Sequence, residues 1–460
     1  MSTIAAIATA QGGAIGVIRV SGTEAISATS AIFRPAREGK RLEEVPPYSI
    51  VFGHIVDGEE VVDEVLVSVF HAPHSYTGED SMEIACHGSP YILQRVLQLL
   101  IGAGCQLARP GEYTQRAYLN GKMDLSQAEA VADLIASTSA ATHRLAMSQM
   151  RGGFSRELQQ LRNQLLHFTS LIELELDFSD LEDLEFADRS ELFELANHIE
   201  EVISHLVESF SVGNAIKNGI PVAIVGQTNS GKSTLLNALV GEERAIVSDI
   251  SGTTRDVIED TVNLGGFTFR FIDTAGIRHT TDTIESMGIE RTFQKIDQAQ
   301  VVLWIIDATK AREQVAQLKD ELLPRCGGKQ LILVLNKSDL LDGEQAHLLQ
   351  GHLKDGIDFP MSSLQTLLIS AKHHQGLNEL KEMLMEAAHL PELSQSDVIV
   401  TNTRHYEALT HAQEAIRRVQ EGLKQGTSGD FLSQDIRECI YHLSDIVGEV
   451  TADDFFSSRP

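Results

Sequence analysis

The chain has 460 residues and a formal net charge of −28, from 37 Lys and Arg against 65 Asp and Glu. Hydrophobic residues make up 42% and charged residues 22%, which excludes a largely disordered chain, a collagen and a simple coiled coil. The acidic balance disfavours a non-specific nucleic-acid coat or an anionic membrane surface as the default partner. The four cysteines show no CxxC spacing and indicate reduced thiols. There is no signal-peptide pattern and no apolar run of ~18 residues, so we expect a cytoplasmic protein without a membrane partner.

The first 120 residues are expected to form a compact α+β domain, because short β-rich runs alternate with turn residues. The pattern predicts four strands and one helix in this region. The strands are placed at 14–20, 49–56, 60–70 and 81–85, and the helix at 90–101.

Helix formers dominate from 121 to 216, and residues 161–176 and 192–210 carry apolar residues at spacings of three and four. The acidic stretch 177–188 between them is interpreted as a solvated turn that starts a helix. From 217 to 377 strands alternate with helices, which predicts a doubly wound, mostly parallel α/β domain. Its strands are expected at 220–225, 268–273, 301–307, 331–336 and 367–370.

Residues 378–460 are expected to be helical again, for example at 404–426 and 432–447. Each helical block alone would leave its apolar face unburied. The sequence therefore predicts one discontinuous helical domain, formed by 121–216 and 378–460, into which the α/β domain is inserted.

The most specific motif is Gly226-Gln-Thr-Asn-Ser-Gly231-Lys232-Ser233, a G-x4-G-K-S loop between a predicted strand and a predicted helix. Its backbone N–H groups and the helix N-terminus suit phosphates. Lys232 is expected to reach the β- and γ-phosphates, and Ser233 to bind Mg²⁺. The candidate nucleotide-binding residues of this loop are Asn229, Ser230, Gly231, Lys232, Ser233 and Thr234.

Three further motifs follow in order, each at the end of a predicted strand. In Asp273-Thr274-Ala275-Gly276 the aspartate can order the Mg²⁺ shell, and the Gly276 N–H can face the γ-phosphate. In Asn336-Lys337-Ser-Asp339 a carboxylate can accept hydrogen bonds from guanine N1–H and the 2-amino group, which adenine does not offer. Main-chain N–H groups of Ser370-Ala371-Lys372 would support the base. Together with the phosphate loop these motifs predict a GTPase, similar to the translation-factor-related GTPases.

The hydrolytic group is less evident, because Ile277 stands where Ras-like switches carry a glutamine. The first switch loop is expected at Ser248, Asp249, Ile250, Ser251, Gly252, Thr253 and Thr254, with Thr254 a candidate Mg²⁺ ligand. No arginine finger is visible, and a bound monovalent cation could supply the missing positive charge.

The stretches NSGKST, SDISGTTRDV and DTAGIR resemble the MnmE (TrmE) family of tRNA-modification GTPases. Outside the GTPase region, Gly16-Val-Ile-Arg19-Val-Ser-Gly22 and Thr77-Gly-Glu-Asp80 also match that family. So do Ala108-Arg-Pro-Gly-Glu-Tyr113 and the stretch from Arg116 to Glu129. The resemblance covers nearly the whole chain and shares the inserted architecture.

The resemblance implies a folate-binding, dimer-forming N-terminal domain, in which Arg19, Glu83 and Lys122 match positions that contact 5,10-methylene- or 5-formyl-tetrahydrofolate. Arg and Lys suit the folate carboxylates, and Glu suits the pterin edge; a structural ion pair is the alternative for Arg19. In the GTPase domain Asn229 matches the K⁺-coordinating asparagine, and Ser248, Ile250 and Thr253 match the loop around that ion. Glu285 matches the water-positioning catalytic glutamate, beside Lys232 and Asp273; the alternative is a surface helix acid.

The family acts as a homodimer with an FAD-dependent MnmG-type protein, and together they add an aminomethyl-type group to the wobble uridine of certain tRNAs. The resemblance therefore implies a potassium-stimulated GTPase of tRNA modification. A GTP-dependent ribosome or RNA assembly switch shares the GTPase motifs, but no KH-like or basic RNA-binding tail supports it. A membrane-associated GTPase is weaker still, because the sequence has no anchor. The sequence departs from the family's Phe-Cys-Ile-Gly-Lys ending, and Cys439 is expected to be a buried helix residue rather than a substitute.

Overall fold

The computed structural model describes residues 2–10, 12–37, 39, 41–177, 189–242, 260–272, 296–342, 345, 349, 357, 359–360, 362–388 and 398–448. The chain forms two compact units. The first comprises residues 1–131 with 447–449, and the second takes the described residues between 132 and 446.

The first unit is built on a seven-stranded sheet with strand order β3-β4-β5-β6-β2-β1-β7. Its strands are β1 (Ile4–Ile7), β2 (Ile15–Ser21), β3 (Phe33–Pro35), β4 (Ser49–Asp57), β5 (Glu60–Phe70), β6 (Ser81–His87) and β7 (Gln106–Leu107). Its helices are α1 (Ala25–Ile32), α2 (Pro90–Gly102), α3 (Glu112–Leu119) and the first part of α4 (Leu125–Ala136). Apart from the parallel β1–β7 pair, the neighbouring strands are antiparallel.

One face of this sheet is buried under helices. Along β5 buried valines alternate with more exposed residues, as expected of a strand with one face in a core. Helix α2 starts with Pro90 in its first turn, where no backbone N–H is needed, and buries Leu93, Val96 and Leu100 in the same core. Buried apolar residues recur at every second position of the strand and about every 3.6 positions of the helix. The two sets therefore pack into one apolar layer.

The second unit continues with helices, a six-stranded sheet and helices again. In chain order its elements are α5 (Ala140–Met150), α6 (Gly153–Asp177), α7 (Arg189–Asn218), β8 (Ile220–Val225), α8 (Lys232–Glu242), β9 (Asp260–Leu264), β10 (Phe267–Phe271), β11 (Val301–Asp307), α9 (Ala311–Leu322), β12 (Gln330–Asn336), β13 (Leu364–Leu368), α10 (Leu377–Ala387), α11 (Thr403–Gln425) and α12 (Gly429–Val447).

Helices from both sides of the α/β region pack together. The rings of Phe210 on α7 and Tyr406 on α11 stack with centroids 4.4 Å apart. Gln413 on α11 donates a hydrogen bond to the Ser204 hydroxyl on α7 over 2.6 Å. These contacts join helices from the two predicted helical blocks, and the bounds of a discontinuous helical domain stay a prediction.

The six-stranded sheet has the order β13-β12-β11-β8-β10-β9. The pairs between β13 and β10 are parallel, and only the edge strand β9 runs antiparallel to its neighbour β10. All seven residues of β11 are buried, because separate apolar cores cover the two faces of the sheet. The carboxyl ends of the parallel strands thus meet at one edge, where ligands bind in folds of this type.

The β9–β10 hairpin touches the helical domain through its Gly265-Gly266 turn. The Gly266 carbonyl oxygen accepts a hydrogen bond from the Ala141 N–H at the start of α5, over 3.0 Å. Asn263 on β9 donates to the Thr138 carbonyl oxygen over 3.1 Å. Phe267 packs beside the small apolar cluster that contains Ala141 and Leu145. The hairpin is therefore bonded to the first turn of α5.

The sequence placed most elements correctly and missed some short ones. Strands β5, β8 and β11 have the predicted bounds. The strand expected at 367–370 lies instead at 364–368, and Ser370 forms an isolated bridge with Gln375. Strand β9 was not predicted, because its sequence DTVNL is short and polar. Helix α10 buries Leu380 and Leu384 against the six-stranded sheet, although it lies beyond the expected boundary at residue 377.

Two histidines on neighbouring helices give this helical domain an expected pH dependence. The rings of His411 on α11 and His442 on α12 stack with centroids 5.1 Å apart. Burial, followed by the nearby His411, lowers the pKa of His442, and these effects outweigh the opposing charges of Glu438 and Asp445. Because the unfolded chain binds a proton at higher pH than the folded chain, we expect thermal stability to fall as pH drops below about 6.5.

This expectation is checked by melting the protein between pH 8 and pH 5. His442→Gln should show a smaller loss of Tm over that range than the unsubstituted protein, and His143→Gln, which changes an exposed histidine, should not. An equal loss in all three proteins would contradict a role for the pair.

Candidate functional site

The predicted nucleotide residues that the structure describes meet at the carboxyl edge of the six-stranded sheet. The glycine loop follows β8, the Asn336 motif follows β12, and the Ser370 motif follows β13. These strands are parallel, so loops far apart in sequence come together at this edge.

The glycine loop requires its two outer glycines. A Cβ on Gly226 would overlap the carbonyl oxygen of Ile305 on β11, and a Cβ on Gly231 would overlap the side-chain amide of Asn336. Gly231 also has a φ of 96°, which L side chains rarely adopt. The loop backbone therefore lies directly against its neighbours, and helix α8 begins at the next residue, Lys232.

The side chain of Lys232 is held over the glycine loop by carbonyl groups of the loop backbone. Its Nζ donates to the carbonyl oxygens of Gly226 and Gln227, each over 2.7 Å. The side chain is partly buried, which limits competition from water. An ammonium group in this place lies at the N-terminus of α8, where positive potential already favours an anion.

Asn336 joins the glycine loop to the Ser370 loop. Its side chain is 3% exposed, and its Nδ2 donates to the Ser230 carbonyl oxygen over 2.8 Å. Its Oδ1 accepts from the Ala371 N–H over 3.0 Å. Both ends of a buried amide are thus satisfied by backbone groups on two different loops, which fixes the loops relative to each other.

Lys337 has a left-handed backbone with a φ of 66°, and its Nζ bonds the Asp307 carboxylate at the end of β11 over 2.6 Å. Burial acts to raise the pKa of Asp307. Hydrogen bonds from Lys337 and Thr309 outweigh it, so the pKa lies below its usual value and the carboxylate is charged at neutral pH.

Asp339 is positioned by the Ser370 loop. The Ser370 hydroxyl donates to Asp339 Oδ1 over 2.6 Å, and this bond lowers the pKa of the carboxyl. His373 approaches Oδ2 at 3.8 Å. A charged acceptor is therefore held at the same sheet edge as the glycine loop, where it can receive hydrogen bonds from a flat, donor-bearing ring edge.

Other predicted residues lie outside the described residues. They are 248–254 of the first switch loop, 273–276 of the DxxG motif, and Glu285. Glu285, Asp273 and the Mg²⁺ ligand Thr254 therefore stay predictions.

The loop residues fit a nucleotide phosphate on structural grounds. The Ser230 hydroxyl is fully buried and has no hydrogen-bond partner in the part of the chain that the structure describes. Neither Gly226 nor Gly231 could carry a side chain without overlapping its neighbours. Such a cradle of N–H groups suits phosphate, and the hydroxyl of Ser233 at the second position of α8 is a hard oxygen ligand of the kind Mg²⁺ prefers.

A second polar site lies in the first unit, on β2 and β6. Arg19 and Glu83 are paired in register, and Arg19 Nη2 lies 2.7 Å from Glu83 Oε1. The Arg19 guanidinium carbon lies 5.3 Å from the ring centroid of Tyr76 and 5.6 Å from that of Tyr113. Both partners of the pair remain about 30% exposed, so this charged pair between two aromatic rings is open to a ligand.

The structure adds residues to this site that the sequence reasoning missed. Tyr113 donates its hydroxyl proton to the Arg19 carbonyl oxygen over 2.6 Å, and burial raises its pKa. In the sequence, Tyr76 directly precedes the Thr77-Gly-Glu-Asp80 motif, and this position is the only sequence feature that could have indicated its place in the site. The third predicted residue, Lys122, donates to the Pro73 carbonyl oxygen over 3.0 Å rather than to the Arg19–Glu83 pair.

Cys439 is confirmed as a buried helix residue on α12. Its side chain is fully buried, and burial raises the pKa of its thiol to about 12. A thiol in this state is unreactive. Among the described residues there is no cluster of three His, Cys, Asp or Glu able to hold a metal ion, and no helix long and apolar enough to span a membrane.

A glycine loop after the first parallel strand, with an Asn-Lys-x-Asp and a Ser-Ala-Lys motif at the same sheet edge, defines a P-loop GTPase. The family description "GTP-binding protein TrmE N-terminus" matches residues 3–122, and "MnmE helical domain" matches residues 125–458. The chain belongs to the MnmE family of tRNA modification GTPases.

Curated relatives agree over nearly the full length. The "tRNA modification GTPase MnmE" of Bacteroides thetaiotaomicron is 68% identical over 451 residues, which cover 98% of this chain and 96% of that protein. The protein of the same name from Bacteroides fragilis is also 68% identical, with the same coverage. The protein of the same name from Phocaeicola vulgatus is 62% identical over 480 residues, which cover 97% of this chain and 95% of that protein.

Proposed function

We propose that this chain is a potassium-stimulated GTPase that acts with an FAD-dependent MnmG-type partner in the folate-dependent modification of the wobble uridine of certain tRNAs. GTP is the substrate and Mg²⁺ its metal, as in GTPases generally. Mg²⁺ would be held by Ser233 and Thr254, and it would neutralise charge that develops on the phosphates. The relatives at 62% to 68% identity carry the name of a tRNA modification GTPase, which supports the tRNA assignment.

The observation that carries the potassium part is Asn229. It lies in the glycine loop with a left-handed φ of 64°, and its side chain is exposed. Asparagine tolerates this conformation and presents an amide oxygen, which is a ligand for a hard monovalent cation. A cation there, with Ser248, Ile250 and Thr253 as further ligands, would supply the charge that an arginine finger supplies in other GTPases.

The Arg19–Glu83 pair supports the folate part. A guanidinium can bind folate carboxylates in a bidentate manner, and a carboxylate can accept from the pterin's amide and amine. The rings of Tyr76 and Tyr113 offer flat apolar surfaces on which a pterin can stack. Lys122 would add a second positive charge toward the folate glutamate.

The remaining parts rest on the family. We infer a homodimer whose GTPase domains approach each other when GTP and K⁺ are bound, with hydrolysis releasing them. Glu285 would position the attacking water, with Lys232 and Asp273 acting on the phosphates and the Mg²⁺ shell. We expect the protein to work in the cytoplasm, where its tRNA substrates are.

The test is GTP hydrolysis in K⁺ against Na⁺ at equal ionic strength. We expect stimulation by K⁺ of roughly 10²-fold, the size typical of one lost electrostatic stabiliser. Asn229→Ala and Asn229→Gly should both abolish the stimulation. The glycine variant is the matched control, because it keeps the left-handed backbone and removes only the amide.

Equal rates in the two salts would overturn the potassium mechanism. Weight would then move to the second candidate, a GTP-dependent RNA or ribosome assembly switch, which needs the same nucleotide motifs but no folate site. Loss of stimulation in Asn229→Ala alone would assign the effect to backbone strain rather than to a cation ligand.

A further inference from the structure

Helices α5 and α6 differ in charge from the rest of this acidic chain. Between Ala140 and Ser170 the sequence has four arginines and two histidines, but only one acidic residue, Glu157. The chain as a whole has 65 acidic residues against 37 basic ones. A local positive surface on such a protein is a specific feature, because the average charge acts against it.

Three of these arginines bond backbone groups or face solvent. Arg144 donates to the Ala140 carbonyl oxygen over 3.3 Å, and Arg156 donates to the Arg151 carbonyl oxygen over 2.9 Å. All three of Arg144, Arg151 and Arg156 are exposed, and none pairs with a carboxylate in the described part of the chain.

Other arginines of the same helical domain are neutralised by neighbours. Four of them form ion pairs with Asp or Glu: Arg404 with Asp445, Arg417 with Glu200, Arg418 with Asp435 and Glu438, and Arg437 with Glu173. The contrast shows that the exposed charges on α5 and α6 are not needed to hold the helices together.

Exposed basic and amide residues recur at helical spacings along this part of the chain. Arg144 lies on α5 and Arg151 directly follows the last residue of that helix, seven residues further and about 10 Å away at the helical rise. Along α6 the exposed residues Arg156, Gln160, Asn163 and His167 recur at spacings of four, three and four, over about 16 Å. The α6 part lines a shallow groove of about 490 Å³. We call these six residues the arginine stripe.

We propose that the arginine stripe binds the phosphate backbone of RNA, and that it is the surface on which this chain meets its tRNA. Unpaired guanidinium groups bind phosphate oxygens in a bidentate manner, and the amides of Gln160 and Asn163 can bond ribose hydroxyls and base edges. To bind an acidic protein partner, the positive charges would be enough. The neutral amides beside them suit RNA better, because its surface mixes phosphates with ribose hydroxyls and base edges. This inference rests on the proposed role in tRNA modification.

The experiment measures binding of the full-length protein to a tRNA with a wobble uridine, over a range of salt concentrations. The triple variant Arg144→Gln, Arg151→Gln, Arg156→Gln should bind at least 10-fold more weakly at low salt. The slope of log K against log[salt] should fall by roughly 2 to 3, because three phosphate contacts are lost. GTP hydrolysis without tRNA and the melting temperature should stay at the unsubstituted values.

The matched control is the triple variant Arg37→Gln, Arg41→Gln, Arg312→Gln, which removes three exposed arginines from other parts of the chain, none of them ion-paired with a described residue. It should keep the salt slope. An equal loss in both triple variants would overturn the inference, since net charge alone would then explain binding. If the stripe variant keeps its tRNA affinity but loses affinity for polyglutamate or for the MnmG-type partner, the stripe is a protein-binding surface and the proposal is wrong. If the unsubstituted protein, alone and with its partner, binds no tRNA, the proposed function fails together with it.

Discussion

Lys232→Ala is expected to lower the rate of GTP hydrolysis by about 10³-fold. The ammonium of Lys232 is held over the glycine loop by two carbonyl oxygens at 2.7 Å, at the N-terminus of α8. A fixed charge in a partly buried place needs little reorganisation when charge develops on the phosphates, and removing one such group typically costs 10² to 10³ in rate. The affinity for GTP should fall as well, since the same charge also binds the ground state.

The measurement is single-turnover hydrolysis together with the Kd of GTP and of GDP. Lys310→Ala is the control, because Lys310 is an exposed lysine that follows β11 at the same sheet edge. Lys310→Ala should leave the hydrolysis rate and the two dissociation constants unchanged. A Lys232→Ala protein that hydrolyses GTP at the normal rate would contradict the role assigned to the loop.

The second large effect is expected from Asp339→Asn, which should exchange guanine selectivity for xanthine selectivity. The carboxylate accepts from two donors of guanine, whereas an asparagine amide would face one of them with its own N–H₂ group. A site built for particular hydrogen bonds rejects a mismatched ligand by up to 10⁴ to 10⁵, because a buried polar group is left unpaired. Because the Asp339 side chain is a quarter exposed, we expect a smaller loss of GTP affinity, about 10³-fold.

Xanthosine triphosphate should bind and be hydrolysed by Asp339→Asn, because its 2-oxo group accepts where guanine donates. The bond from the Ser370 hydroxyl can be kept by the asparagine Oδ1, so the side chain should stay in place. Asp342→Asn, an exposed aspartate three residues further, is the control and should keep its preference for GTP. Loss of both nucleotides by Asp339→Asn would indicate a collapsed loop instead of a changed specificity.

The sequence identified the nucleotide site because its motifs are local. A glycine loop of eight residues between a strand and a helix carries its own geometry, and Asn336, Asp339 and Ser370 each follow an apolar strand. What the sequence did not reveal is how these loops hold one another. The Asn336 amide joins residues 230 and 371, and no spacing rule predicts a contact between segments so far apart.

The same limit applies to the first unit. The family resemblance points to Arg19 and Glu83 but not to the two tyrosine rings beside Arg19. Tyr76 lies in a loop 57 residues further along the chain, and Tyr113 lies on α3, 94 residues further. Their approach depends on strand register, which a single sequence does not specify. The edge strand β9 was missed for another reason, since a polar pentapeptide has no clear period of two.

The bonds between the β9–β10 hairpin and helix α5 have a consequence for how the nucleotide site and that helix could influence each other. In the sequence, residues 248–254 of the predicted first switch loop precede this hairpin, and residues 273–276 of the DxxG motif follow it. Its Gly265-Gly266 turn is bonded to the first turn of α5, the helix that carries Arg144. A displacement of this hairpin relative to α5 would therefore have to break the bond from the Ala141 N–H and the bond from Asn263 to the Thr138 carbonyl oxygen. If nucleotide binding displaced the hairpin, it would be coupled to whatever binds α5, and by linkage the coupling free energy would be the same in both directions.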